Sequence, residues 1–298
     1  MSDAMQQRIQ SNIYHLARIT TAYISHDGGP LPLLEMRATD DVQTKAYHTE
    51  MISVLKDLSL DLPKPELIIV ISAHWEEVEV CVTTHPRPTL IYDYYGFPQP
   101  AYSIKYPAEG NKAFATSLVK GLKERGVTAH EDSERGFDHG MFIPLSIMYP
   151  KADVPCIQMS ITSDLSADKH IKLGKALRKA VETATKANLQ QKQILILGSG
   201  SSFYNMKGFF DNTSDTMRKA TRFNNWLQTT MQSKAYSESE RSARLVDWSE
   251  APDARYAHPR EEHLLPLQVC YGANGKAADK AISLTLLNKP ASMFVWHD

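Results

Sequence analysis

The sequence predicts an α/β fold: a single domain whose central, mostly buried mixed sheet is covered by helices on both faces. Three observations lead there. Short apolar runs alternate with longer helical segments along the chain. Runs such as LIIVIS and ILILG read apolar on both sides, as strands in the middle of a covered sheet do. No Ser/Gly linker, charge block or internal repeat divides the 298 residues.

The chain opens on MSDAMQQRIQSNIYHLARIT, where Ile9, Ile13, Leu16 and Ile19 fall three or four apart and predict an amphipathic helix. It carries charge and lacks a continuous apolar stretch, so it reads as neither signal peptide nor membrane span. Residues 1–20 are therefore expected to form a helical extension, docked on its own domain or on a second subunit, and 21–298 the domain proper. ITTAYIS is the first expected strand, a helix follows near 42–57, and ELIIVISAHW and VEVCVTT are the next strands. Helices are expected at 111–125, about 167–187 and near 215–233, with strands VPCIQMSI and QILILGSGSS between them and ISLTLL and SMFVW near the end. The Tyr-, Pro- and Gly-rich stretch 84–110 has no periodicity and is long enough to be a binding loop. Its aromatics either wall a pocket or pack the loop onto the body.

Composition narrows the function classes. Apolar residues make up 42% and charged residues 22%, an ordinary globular balance that excludes disorder. Lys plus Arg (33) offsets Asp plus Glu (34), so no electrostatic feature calls for nucleic acid. The cysteines Cys81, Cys156 and Cys270 are odd in number and far apart, which excludes a disulfide framework or a CxxC site and makes cytoplasm the expected compartment.

Ligands of open α/β sheets bind beyond the carboxyl ends of the strands. Two apolar runs end there on a histidine, TAYIS on His26 and LIIVISA on His74. The Gly198-Ser199-Gly200 turn follows a third run, and a segment holding His258 and His263 precedes LLPLQVC. A single strand-end histidine is usually structural, bonded to a nearby carbonyl. Three in comparable places point to a catalytic metal with coordination positions left for water and substrate. In Gly136-Phe137-Asp138-His139-Gly140 glycines bracket a loop histidine. His139 is then an acid/base, an oxygen-anchoring donor, or a turn residue bonded to Asp138. GSGSSF lacks the Lys-Ser/Thr ending of a phosphate loop, and no GxSxG elbow marks a serine hydrolase.

SHDGGPLPLL, VISAHWEE, IYDYYGFP, KYPAEG, GFDHGMFIPLSIMYP, VPCIQMSI, GSGSSFYNM and HPREEHLLPL together resemble the class III extradiol ring-cleavage dioxygenases. The branch is that of the DOPA-extradiol dioxygenases, related to the catalytic subunit of protocatechuate 4,5-dioxygenase. The resemblance implies an Fe(II) enzyme acting on a catechol-type aromatic and O2, in a homodimer, with no nucleic-acid or membrane partner. It implies His26, His74 and His263 as metal ligands, with Glu262 supporting the site, His139 positioning substrate or dioxygen, and His258 at the edge of the pocket. Tyr92, Tyr94, Tyr95 and Phe97 are the expected aromatic wall. The pattern departs at Tyr204, which stands where the family carries its acid/base histidine. Zn(II) in the isolated protein, a zinc hydrolase, and a catalytically silent metal-binding protein on the same fold remain the alternatives.

Overall fold

β-Branched and apolar runs build the sheet, and the computed structural model describes residues 18–37, 47–188 and 192–298. The strands are β1 (Arg18–Ser25), β2 (Leu67–Glu77), β3 (Val80–Thr83), β4 (Ala129–Asp132), β5 (Cys156–Thr162), β6 (Gln193–Gly200), β7 (Lys280–Leu286) and β8 (Lys289–Trp296). They form one sheet in the order β4-β3-β5-β2-β6-β1-β8-β7. The central β5, β2, β6 and β1 are parallel, while β3 and β8 run antiparallel to their inner neighbours, β5 and β1. The sheet is therefore mixed, with its most apolar strands at the centre.

Helices cover both faces. They are α1 (Leu31–Arg37), α2 (Thr49–Asp61), α3 (Lys112–Lys123), α4 (His139–Met148), α5 (Ala167–Ala187), α6 (Met206–Phe210), α7 (Ser214–Gln232), α8 (Glu238–Val246), α9 (Ala254–Ala257) and α10 (Leu265–Asn274). Side chains alternate along the central strands. Ala22, Ile24, Ile68, Val70, Leu195 and Leu197 enter one core with α2 and α4; Leu67, Ile69, Ile71, Ile194 and Ile196 enter another with α3, α5 and α10. A third core joins Phe223, Leu245 and Trp248 to Phe294 and Trp296 at the β8 side. Ser166 and Thr213 start α5 and α7 where expected, each side chain accepting a backbone N–H of the first turn, a cap worth about 1 kcal/mol.

The alternation explains where the histidines go. Ile24 of β1 and Ser72 of β2 both lie beside Ser199 of β6, so His26 and His74 each stand two residues beyond the same register line. A step of two keeps the same face. One face of the sheet thus turns from Ile, Val and Leu to Ser72, Ser199, His26 and His74 at its carboxyl edge.

Three expectations need correction. β1 begins at Arg18, so Ile19 pairs with Ile194 in the sheet instead of ending the extension; the expected helix before it lies outside the described residues. The first part of the helix expected at 42–57 also lies outside them, and the described helix runs on to Asp61. GFDHG is not an open loop, because α4 starts on His139 with Asp138 as its N-cap residue.

Candidate metal centre and substrate cavity

Four imidazoles converge at the sheet edge. The Nε2 atoms of His26 and His74 are 2.9 Å apart, close to the separation of about 3 Å between two imidazoles on one metal. The ring of His139 is centred 3.9 Å from that of His74 and 5.8 Å from that of His26. His263 completes the group, its ring 4.9 Å from His74 and 5.8 Å from His26. Nitrogen atoms of His26, His74 and His139 all lie within 4.8 Å of one another, so the tightest trio includes His139 where the resemblance implied His263. The reason is α4: a Cβ on Gly140 would sit 2.7 Å from Ser72 Oγ and 2.9 Å from the His74 ring, so only glycine lets that helix start against β2.

His263 comes from much later in the chain and is placed by its backbone. Its carbonyl accepts hydrogen bonds from Ser201 N–H and Tyr23 O–H, both at 3.0 Å. A Cβ on Gly200 would lie 2.1 Å from that carbonyl, so this approach requires glycine.

The hydrogen bonds fix which nitrogen faces inward. Ser199 gives its hydroxyl proton to the Gly140 carbonyl, so His26 Nδ1–H donates to Ser199 Oγ at 2.9 Å. His139 Nδ1–H donates to Asp93 Oδ1 at 2.8 Å, and His263 Nδ1–H to Glu262 Oε1 at 3.1 Å. His74 Nδ1 lies 3.9 Å from Asp93 Oδ2. The Nε2 lone pairs are left to the centre, and His263 Nε2 is buried with no hydrogen-bond partner. This is the usual outer-sphere arrangement of metal-binding histidines. Burial and the neighbouring imidazoles push His26 and His74 well below the ordinary imidazole range, and burial lowers His263 as well, so the bases stay neutral and available. The donor set fits a metal that accepts imidazole, iron and zinc included.

A cavity of ≈ 760 Å³ opens from this cluster. Tyr94, Tyr95 and Phe97 line it, as the wall expected from the sequence does, together with Tyr204. Tyr204 stacks on His263 with ring centroids 3.3 Å apart and planes 9° from parallel. Burial, then the charges of Asp27 and Glu262, push its phenol up to about 12.

Other expected residues lie elsewhere. His258 is fully buried away from the cavity, its Nε2–H donating to the Ser202 carbonyl at 3.1 Å and its ring set against Phe223 and Trp248. It ends α9 facing the core, so five residues of sequence do not bring it beside His263. Tyr92 is also absent from the lining; its hydroxyl donates to the Ile104 carbonyl and its ring packs on Phe142. Glu262 acts through His263 and is paired with Arg260. His139 bonds Asp93, and Asp138 instead accepts from Ser72 at 2.8 Å.

Sequence reading missed Asp93, Asp27 and His48. Asp93 sits between Tyr92 and Tyr94 in a loop of aromatics, which was a usable signal. Asp27 is buried in the lining, with one oxygen accepting from Ser201 at 2.7 Å and the other unpartnered, and burial lifts its carboxyl well above its ordinary range. His48 also lines the cavity and donates Nδ1–H to Glu35 at 2.6 Å. No motif marks it.

The family model described as the catalytic LigB subunit of aromatic ring-opening dioxygenase matches residues 20–292. The chain belongs to this family. Relatives in the LigB family's range include a 4,5-DOPA dioxygenase extradiol of Beta vulgaris, 36% identical over 72% of this chain and 75% of that protein. Another of the same name, from Escherichia coli K12, is 31% identical over 90% of both chains. Dioxygenase tasH of Hapsidospora irregularis is 33% identical over 84% of this chain and 76% of its own. In fold, the LigB-family chain is similar to an uncharacterized Escherichia coli K12 protein known from a crystal structure, with a TM-score of 0.67 and 24% identity over 93% of this chain and 99% of that one. Among the described residues no helix is long and apolar enough to cross a membrane.

Proposed function

We propose that the protein is a non-haem Fe(II) extradiol dioxygenase that cleaves a catechol-type ring with O2. The observation that carries this reading is the set of histidines whose Nδ1 atoms are occupied by oxygen partners and whose Nε2 atoms face one point at the base of an aromatic-lined cavity. His26, His74 and His263 are the proposed ligands; the buried, unpartnered Nε2 of His263 supports choosing it as the third. Fe(II), held by these three histidines, would supply the redox chemistry of the reaction.

The chain supplies geometry and protons. His139, oriented by Asp93, presents Nε2 to the substrate oxygen beside the metal ligands. Tyr94 meets the edge of His139 and limits how an aromatic ring enters. Tyr204, with a phenol raised to about 12, stays protonated at neutral pH and donates a hydrogen bond to a substrate oxygen. It is a poor base, so proton acceptance falls to His139.

The same feature supports a second reading, a zinc hydrolase or a silent metal-binding protein, since general acid/base help is worth about 10²–10⁴-fold in rate. Oxygen uptake by Fe(II)-loaded protein with a catechol panel, beside Tyr204→His, separates the two. Turnover by the wild type is the expected result. Turnover in the variant alone assigns the wild type to the silent reading, and none in either defeats the dioxygenase.

A further inference from the structure

The polar end of the cavity is only a small part of it. Its volume, ≈ 760 Å³, lies well inside the range of about 300–1,000 Å³ that takes ligands of drug size, far beyond a one-ring diol. Most of the rest of the lining is apolar: Leu31, Phe97, Phe209 and Leu287, and the more exposed Tyr47, Tyr95, Met206 and Phe210. Eight large apolar side chains stand exposed among the described residues, and four of them, Tyr47, Tyr95, Met206 and Phe210, belong to this one cavity. Phe210 is 76% and Tyr95 92% exposed. Scattered exposed apolar residues need no explanation, but a concentration at one opening does.

Charge gives an independent constraint. Among the described residues the lining holds no Lys or Arg, and its carboxyl groups are those of Asp27 and Asp93. Among the described lining residues a substrate carboxylate would find no Lys or Arg to pair with. Asn212 and Asn288, also in the lining, offer only neutral hydrogen bonding.

We infer that the substrate is a catechol carrying a bulky, uncharged apolar arm, with the diol at the histidine cluster and the arm between Tyr95 and Phe97 on one side and Met206, Phe209 and Phe210 on the other. This rests on the catechol reading of the site and adds the class of substituent. It also distinguishes the protein from a catechol amino acid enzyme, since the described lining offers a carboxylate no Lys or Arg.

The test is binding to anaerobic, Fe(II)-loaded protein, followed by calorimetric titration with catechol, 4-hexylcatechol, hydrocaffeic acid and DOPA. Each methylene buried tightens binding by about fourfold, so a hexyl arm with most of its length covered gives a gain on the order of 100-fold over catechol. Phe210→Ser and Met206→Ser should each shrink that ratio several-fold; both side chains are exposed, and a thermal melt verifies folding. Hydrocaffeic acid or DOPA binding as tightly as 4-hexylcatechol overturns the inference, as does a hexyl gain below about threefold. Loss of self-association in Phe210→Ser with an unchanged hexyl ratio overturns it too, assigning the rim to a second copy of the chain. Failure of every catechol to bind defeats the underlying site reading, whereas binding indifferent to the arm defeats only this step.

Discussion

The two ends of the cavity are built on opposite principles. At the base, His26, His139 and His263 are buried, each ring tied to an oxygen and each set against a glycine or a pinned backbone group. At the opening, Tyr95, Met206 and Phe210 stand in solvent on a loop and on the five-residue α6. Chemistry needs atoms held to fractions of an ångström, and apolar recognition does not. The protein has placed its precision in the sheet edge and its tolerance in the connections.

That contrast can be broken most severely at the base. His26→Ala and His74→Ala are each expected to abolish stoichiometric metal binding, measured by elemental analysis after iron loading and desalting; retention of a full equivalent by either would end the metal-centre assignment. His263→Ala should behave alike, while His139→Ala should keep its metal and lose turnover. The reverse pattern would make the tight His26, His74 and His139 trio the ligand set. One step outward, Glu262→Gln leaves the His263 ring in place but removes its anchor, and metal affinity should fall by about 10–100-fold in a competition titration, whereas Asp93→Asn, which frees His139, should lower turnover and leave metal content unchanged.

A third test probes the buried histidine that lies outside the cavity. Burial lowers His258 from an ordinary 6.5 to about 4. Its folded pKa is therefore depressed, the unfolded chain binds the extra proton first, and stability falls as pH drops from about 6.5 to about 4, by roughly 3 kcal/mol in total. His258→Gln should flatten the urea midpoint across that window; an unchanged slope would show that other groups set the acid limit. Smallest is the rim, where Phe210→Ser should shift stability by no more than about 0.5 kcal/mol. A larger loss would mean that the rim is part of the core.

Legibility followed the same division. β2, β6, α5 and α7 could be read because their burial is one-sided or complete over a recognisable length. α4 and α10 could not, because nearly every residue of HGMFIPLSIM and LPLQVCYGAN is buried and no polar face sets a period. β4, AHED, is a polar edge strand with little apolar signal. In the site, His26 and His74 announced themselves by ending apolar runs. Asp93 and His48 reach the cavity only through the folding of loops and a short helix, and His258 shows that closeness in sequence is a poor guide to which side of a helix end a side chain takes.

The position of the first strand carries one more consequence. β1 is wedged between β6 and β8, and the histidine at its tip meets a partner whose carbonyl is clasped by Tyr23. During synthesis, residues 18–25 must wait for strands that emerge some 170 and 270 residues later. Such long-range pairings are slow to form and leave an apolar edge uncovered in the interval. On the proposed ligand set, a nascent chain would have no complete centre to load, and metal capture would be one of the last events in the making of the molecule, open only to a completed sheet.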